Sequence, residues 1–227
     1  MTATPLPHWD LTNVYPGLES EALAAGLRSL TEQLDALEAY LAAHQITSAA
    51  PAAAPDTLAP VIAGYLERQN AALRHYATVR SYLWSFITTD SYNAAAKHLY
   101  SKLQRQGVRL EQIGVRFAGW LGVNAAALPA VCAADAAARQ HAFFLQEAAE
   151  QSRYLMSEGE EALAGELGVS GAQAWNKLQG TVCSQLSVPF EQAGVTRPLP
   201  LPAVQNLYHD PDPDVRRRAY EAELAAL

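Results

Sequence analysis

Leucines at positions 23, 27, 30, 34, 37 and 41 recur at alternating steps of four and three, a spacing that gathers them on one narrow stripe of an α-helix. Ser20 stands where an N-cap belongs, and Arg28, Glu32, Gln33, Asp35 and Glu38 fall on the opposite face, so the stripe must lie against another helix. A Pro/Ala linker at 47–55 leads to that partner. Leu58, Ile62, Tyr65, Leu66, Leu73, Tyr76, Val79, Leu83 and Phe86 keep helical spacing for much longer than an average helix, and an antiparallel hairpin is the economical packing. The pattern stops at Thr88-Thr89-Asp90. Asp90 is expected to cap a third helix carrying Leu99, Leu103, Leu110, Ile113, Phe117 and Trp120, with an interruption at Gly107.

After Gly122-Val123-Asn124 the segments shorten, and residues 136–156 read as one helix. Ser157-Glu158-Gly159-Glu160 has the S-x-x-E form in which serine and glutamate cap each other's backbone donors, so a new helix starts there. Gly168 is placed as its left-handed stop, and Ser170-Gly171-Ala172-Gln173 repeats the capping arrangement for a helix holding Trp175, Leu178 and Val182. Between 188 and 202, Val188, Phe190, Val195, Leu199 and Leu201 alternate with prolines and Gly194, which suits a small β-hairpin or an extended crossing. Asp212 followed by Pro213 opens a last helix through Val215, Ala219 and Tyr220.

The predicted fold class is therefore all-α: a long antiparallel helical hairpin plus shorter helices, with the small β-element near 188–202. The expected organisation is a long-helix lobe over 1–123, a short-helix subdomain over 124–187, and a connecting segment over 188–227. Residues 219–227 are strong helix formers without a glycine, proline or polar closure, so the last helix is expected to continue into a further domain. On that reading Val215, Ala219, Leu224 and Leu227 lack the surface they would cover, and the segment should exchange its amides fast.

Half of the 227 residues are hydrophobic, enough for a substantial core, and 16 Lys+Arg against 23 Asp+Glu leave a formal charge of -7 that opposes a phosphate-binding surface. No nucleic-acid partner is expected. The opening Met1-Thr2-Ala3-Thr4-Pro5 lacks the basic start and apolar run of a signal peptide, and no run of roughly 18 apolar residues occurs. A cytoplasmic protein without a membrane span is the expectation. Cys132 and Cys183 lack a Cys-x-x-Cys spacing and read as reduced structural thiols.

His8, His44, His75, His98, His141 and His209 include no two at the three-to-five-residue spacing of a zinc pair. Glu158, Glu160 and Glu161 sit in a first helical turn, where the helix dipole already favours carboxylates. Ser184 and Ser187 lack a G-x-S-x-G elbow, and no Gly-rich phosphate loop occurs. Arg216, Arg217 and Arg218 point about 100° apart on a helix and suit ion pairs with Asp212, Asp214, Glu221 and Glu223. Tyr76, Tyr82, Trp84, Tyr92 and Tyr100 suit core and helix-contact positions. No catalytic, cofactor-binding or metal-ligating residue is expected in this chain.

Three stretches resemble the oligoendopeptidase F-type branch of the M3 zinc metallopeptidases. Trp9-Asp10-Leu11-Thr12-Asn13-Val14-Tyr15-Pro16-Gly17-Leu18 is similar to that branch's W-D-L opening. Tyr154-Leu155-Met156-Ser157-Glu158-Gly159-Glu160-Glu161, continued by Ser170, Gly171, Trp175, Leu178 and Ser184, resembles its middle block, with Met156 in place of the usual leucine. Asp210-Pro211-Asp212-Pro213-Asp214-Val215-Arg216-Arg217-Arg218-Ala219-Tyr220 is similar to the segment leading into its catalytic part. Thr88-Thr89-Asp90 and Leu99-Tyr100-Ser101-Lys102-Leu103 also fit.

The resemblance implies the N-terminal lobe of a zinc-dependent oligoendopeptidase that hydrolyses short peptides. Its partners would be those peptides and a C-terminal catalytic lobe, which in this family carries an H-E-x-x-H helix and a further glutamate as zinc ligands. None of those motifs is in this chain, so it is expected to be inactive by itself and to line part of a substrate channel. The alternative is an autonomous helical protein-interaction module.

Overall fold

The computed structural model describes residues 9–192 and 194–227. Helix α1 (Glu21–Ala43) begins where Ser20 Oγ accepts a hydrogen bond from Leu23 N at 3.2 Å, and its leucines 23, 30, 34, 37 and 41 are buried. Helix α2 (Pro55–Thr89) starts on a proline, whose missing N–H would have had no helical partner there. Leu23 and Leu30 cluster with Val79 and Leu83, whereas Leu37 and Leu41 cluster with Leu58 and Ile62. The two helices are thus antiparallel, as their patterns predict.

Helix α3 (Ala94–Val123) runs alongside α1: Leu103 shares the first of those clusters, and Ile113, Phe117 and Trp120 share the second. Its cap is Asn93, not Asp90. Asn93 Oδ1 accepts from Ala96 N at 2.9 Å, while Asp90 Oδ1 is engaged by Tyr92 N at 2.9 Å within the turn. Nor does Gly107 interrupt α3. A β-carbon there would lie 3.1 Å from Tyr76 Cζ, so the glycine admits the α2 tyrosine rather than breaking the helix.

Arg109 of α3 donates from Nε and Nη2 to the two oxygens of Glu38, each at 2.9 Å, and from Nη2 to Asp35 at 2.6 Å. The paired hydrogen bonds to Glu38, and then Asp35, raise its affinity for the proton further, and the fork fixes the register of α3 on α1. Tyr65 of α2 stacks on Phe117 of α3 with centroids 3.5 Å apart in the middle of this layer.

The stretch expected as one helix over 136–156 is broken. It follows α4 (Leu128–Ala134) and consists of α5 (Ala136–Gln140), α6 (Ala142–Gln151) and a 3₁₀ turn over Ser152–Tyr154, with the first break at His141. The cause is tertiary. Arg139 donates to the carbonyls of Cys132 and Ala133, at 3.1 and 2.6 Å, and so ties α5 to α4, whereas Leu145 and Ala149 hold α6 in the core beside α3. Both cysteines are free thiols, and burial pushes the Cys132 thiol up.

Helix α7 (Glu158–Ser170) passes through Gly168 without stopping, and the N-cap of α8 (Ala172–Gln185) is Gly171, whose backbone makes the break. The chain forms two compact units dividing between Leu167 and Gly168. In the second, β1 (Ser187–Gln192) pairs antiparallel with β2 (Val195–Pro200), Val188 opposite Leu199 and Gln192 opposite Val195. Gly194 supplies the φ of 77° that the turn needs.

Val188 and Phe190 point into a core with Leu201 and Val204 of α9 (Leu201–Asn206) and Ala219 of α10 (Pro213–Ala226). Asp212 caps α10 by accepting from Asp214 N at 2.8 Å. The apolar face of α10 is therefore partly covered within the chain, against expectation: Ala219 is fully buried and Val215 packs on the cluster, while Leu224 and Leu227 remain exposed. Among the described residues no single helix is long and apolar enough to cross a membrane; α3 and the following segment pass that test only as a pair bent by 71°.

Candidate functional site

At the end of α3, Asn124 is buried and makes two hydrogen bonds. Its Nδ2 donates to Trp120 O at 2.9 Å, and its Oδ1 accepts from Ala53 N at 2.9 Å, so the linker before α2 is latched to the C-terminus of α3. Two residues earlier, Gly122 leaves room for Ser152: a β-carbon there would lie 2.9 Å from Ser152 Cβ. The Gly122–Ser152 contact seats the 3₁₀ turn that precedes Ser157.

The capping box at Ser157 forms as predicted. Glu160 Oε2 accepts from Ser157 N at 2.9 Å and from Ser157 Oγ at 2.7 Å, and these donors hold its carboxyl below the ordinary range. Glu161 accepts from Met156 N at 3.0 Å, and Glu158 from Thr47 Oγ1 at 3.1 Å. All three acids predicted as first-turn residues thus cap or tether the start of α7.

No residue of α7 or α8 is buried. Gly165 of α7 faces Val108 of α3, where a β-carbon would meet Val108 Cγ1 at 3.5 Å, and Glu158 faces the loop at 47–48. With about 100° per residue, Leu163 and Leu167 then lie on the far side, and they are 56% and 58% exposed. On α8, Trp175, Leu178 and Val182 share one exposed face at steps of three and four. The sequence carried this signal in the spacing, but spacing alone does not say which way a helix turns its leucines.

The histidines do not converge. His44 lies against the Tyr40 ring at 4.3 Å, His141 Nε2 is 3.4 Å from Asn70 Nδ2, and burial lowers the proton affinity of His75. His98 and His209 are exposed, and His8 lies outside the described residues. No group of three or more His, Cys, Asp or Glu suited to a metal occurs among the described residues.

The arginine run is used as predicted in part. Arg217 bridges Asp214 and Glu221, whereas Arg216 donates to the carbonyls of Asp210 and Pro211, and Arg218 donates to Glu191 O while lying over the Phe190 ring. Of the aromatic residues, Tyr82 is buried, but Trp84 and Tyr92 are exposed, Trp84 leaning on Tyr100 with centroids 5.5 Å apart. A shallow cleft of about 380 Å³ lies between Leu11, Val14, Ser81 and Tyr82; its lining offers no charged group.

Residues 120–187, from Trp120 through the capping box and α8 to the first residue of β1, match the family model described as Oligopeptidase F. Over that stretch the chain is similar to the N-terminal region of oligopeptidase F. No curated protein and no solved structure matches it. The matched oligopeptidase F stretch contains the Tyr154–Glu161 block and Trp175, Leu178 and Ser184, on which the resemblance rests most directly; the segments at 9–18 and 210–220 lie outside it. What the matched stretch presents is apolar helix face and capped carboxylates.

Proposed function

We propose that this chain is the N-terminal lobe of a cytoplasmic, zinc-dependent oligoendopeptidase, where it forms part of the wall of a channel for short peptides and performs no hydrolysis by itself. The observation that carries this reading is the oligopeptidase F match over residues 120–187. The described residues do not fit a zinc site, having neither a ligand cluster nor two histidines at helical spacing. The metal would be held by an H-E-x-x-H helix and a further glutamate in a catalytic lobe, and this lobe's own work would be to bound the space that peptides enter. The exposed faces of α7 and α8 also suit the alternative, an autonomous interaction module.

Metal analysis and peptide assay separate the two. The dialysed 227-residue chain is expected to hold no stoichiometric zinc and to cleave no quenched fluorescent peptide, while a protein extended through the downstream coding sequence does both. One tightly held zinc per 227-residue chain, or an extended protein inert toward peptides, would overturn the proposal.

A further inference from the structure

We draw no further inference here: the strongest candidate, the exposed apolar face that Trp175, Leu178 and Val182 form along α8, carries nothing, because nothing in the structure shows what covers it.

Discussion

Asn124 joins two segments that lie 71 residues apart, because its side-chain oxygen serves the N–H of Ala53 while its amide closes the last turn of α3. Removing the amide leaves the Ala53 N–H without its acceptor, while Trp120 O keeps the backbone N–H of residue 124. Asn124→Ala is expected to cost about 1–3 kcal/mol, the usual range for stranding buried polar groups, read as a lower urea midpoint with an unchanged slope. A midpoint equal to the wild type's would mean that the linker is held by its alanines alone. Such a partnership was not legible in the sequence, where Asn124 reads only as the end of a Gly-Val-Asn turn. Arg109 is the same case: Asp35 and Glu38 look like solvated positions opposite the leucine stripe until the fold brings α3 to them. By contrast the caps at Ser20, Ser157 and Asp212 were legible, since each serves a donor within three residues of itself.

Elements were legible where their apolar spacing and their packing agree. The α1 stripe and the β1–β2 hairpin are of this kind, the second because a glycine at the turn and alternating residues say the same thing. The break at His141 was not, since nothing local opposes a continuous helix there and the anchors lie on α4 and α3. The outward leucines of α7 were half legible: the spacing names the stripe, but only the contact of Gly165 with Val108 shows which way it turns. Contact between elements makes its own prediction at Gly122. Placing a β-carbon 2.9 Å from Ser152 Cβ forces the 3₁₀ turn away from α3, so Gly122→Ala should cost about 1–3 kcal/mol despite the better helix propensity of alanine. Gly122→Ala combined with Ser152→Gly should recover most of that loss in thermal unfolding. A single variant as stable as the wild type would show that the turn yields without cost.

At the scale of the whole molecule, packing is distributed unevenly along the chain, and amide exchange should record it. α10 lies on its own unit's core through Ala219, with Val215, Ala222 and Ala226 beside it, and Tyr208 and Gln205 both donate to Glu223. A helix of 14 residues is marginal in water without such cover. α8 is equally long and has no buried residue; only its end, at Cys183 and the following Leu186, reaches the cluster. In dilute solution the α10 amides from Val215 to Ala226 should therefore exchange slowly, and those over 174–180 of α8 fast, because local opening there breaks few apolar contacts. That order reverses what the unclosed run at 219–227 suggests from sequence, and the reason is that Val188 and Phe190 cover a face whose need for a partner is visible but whose partner is not. If a partner seats on Trp175, Leu178 and Val182, adding it should slow the α8 amides and leave those of α10 nearly unchanged. Slow exchange over 174–180 in the isolated chain would show that α8 has cover of its own and would remove the reason to look for a partner on that face.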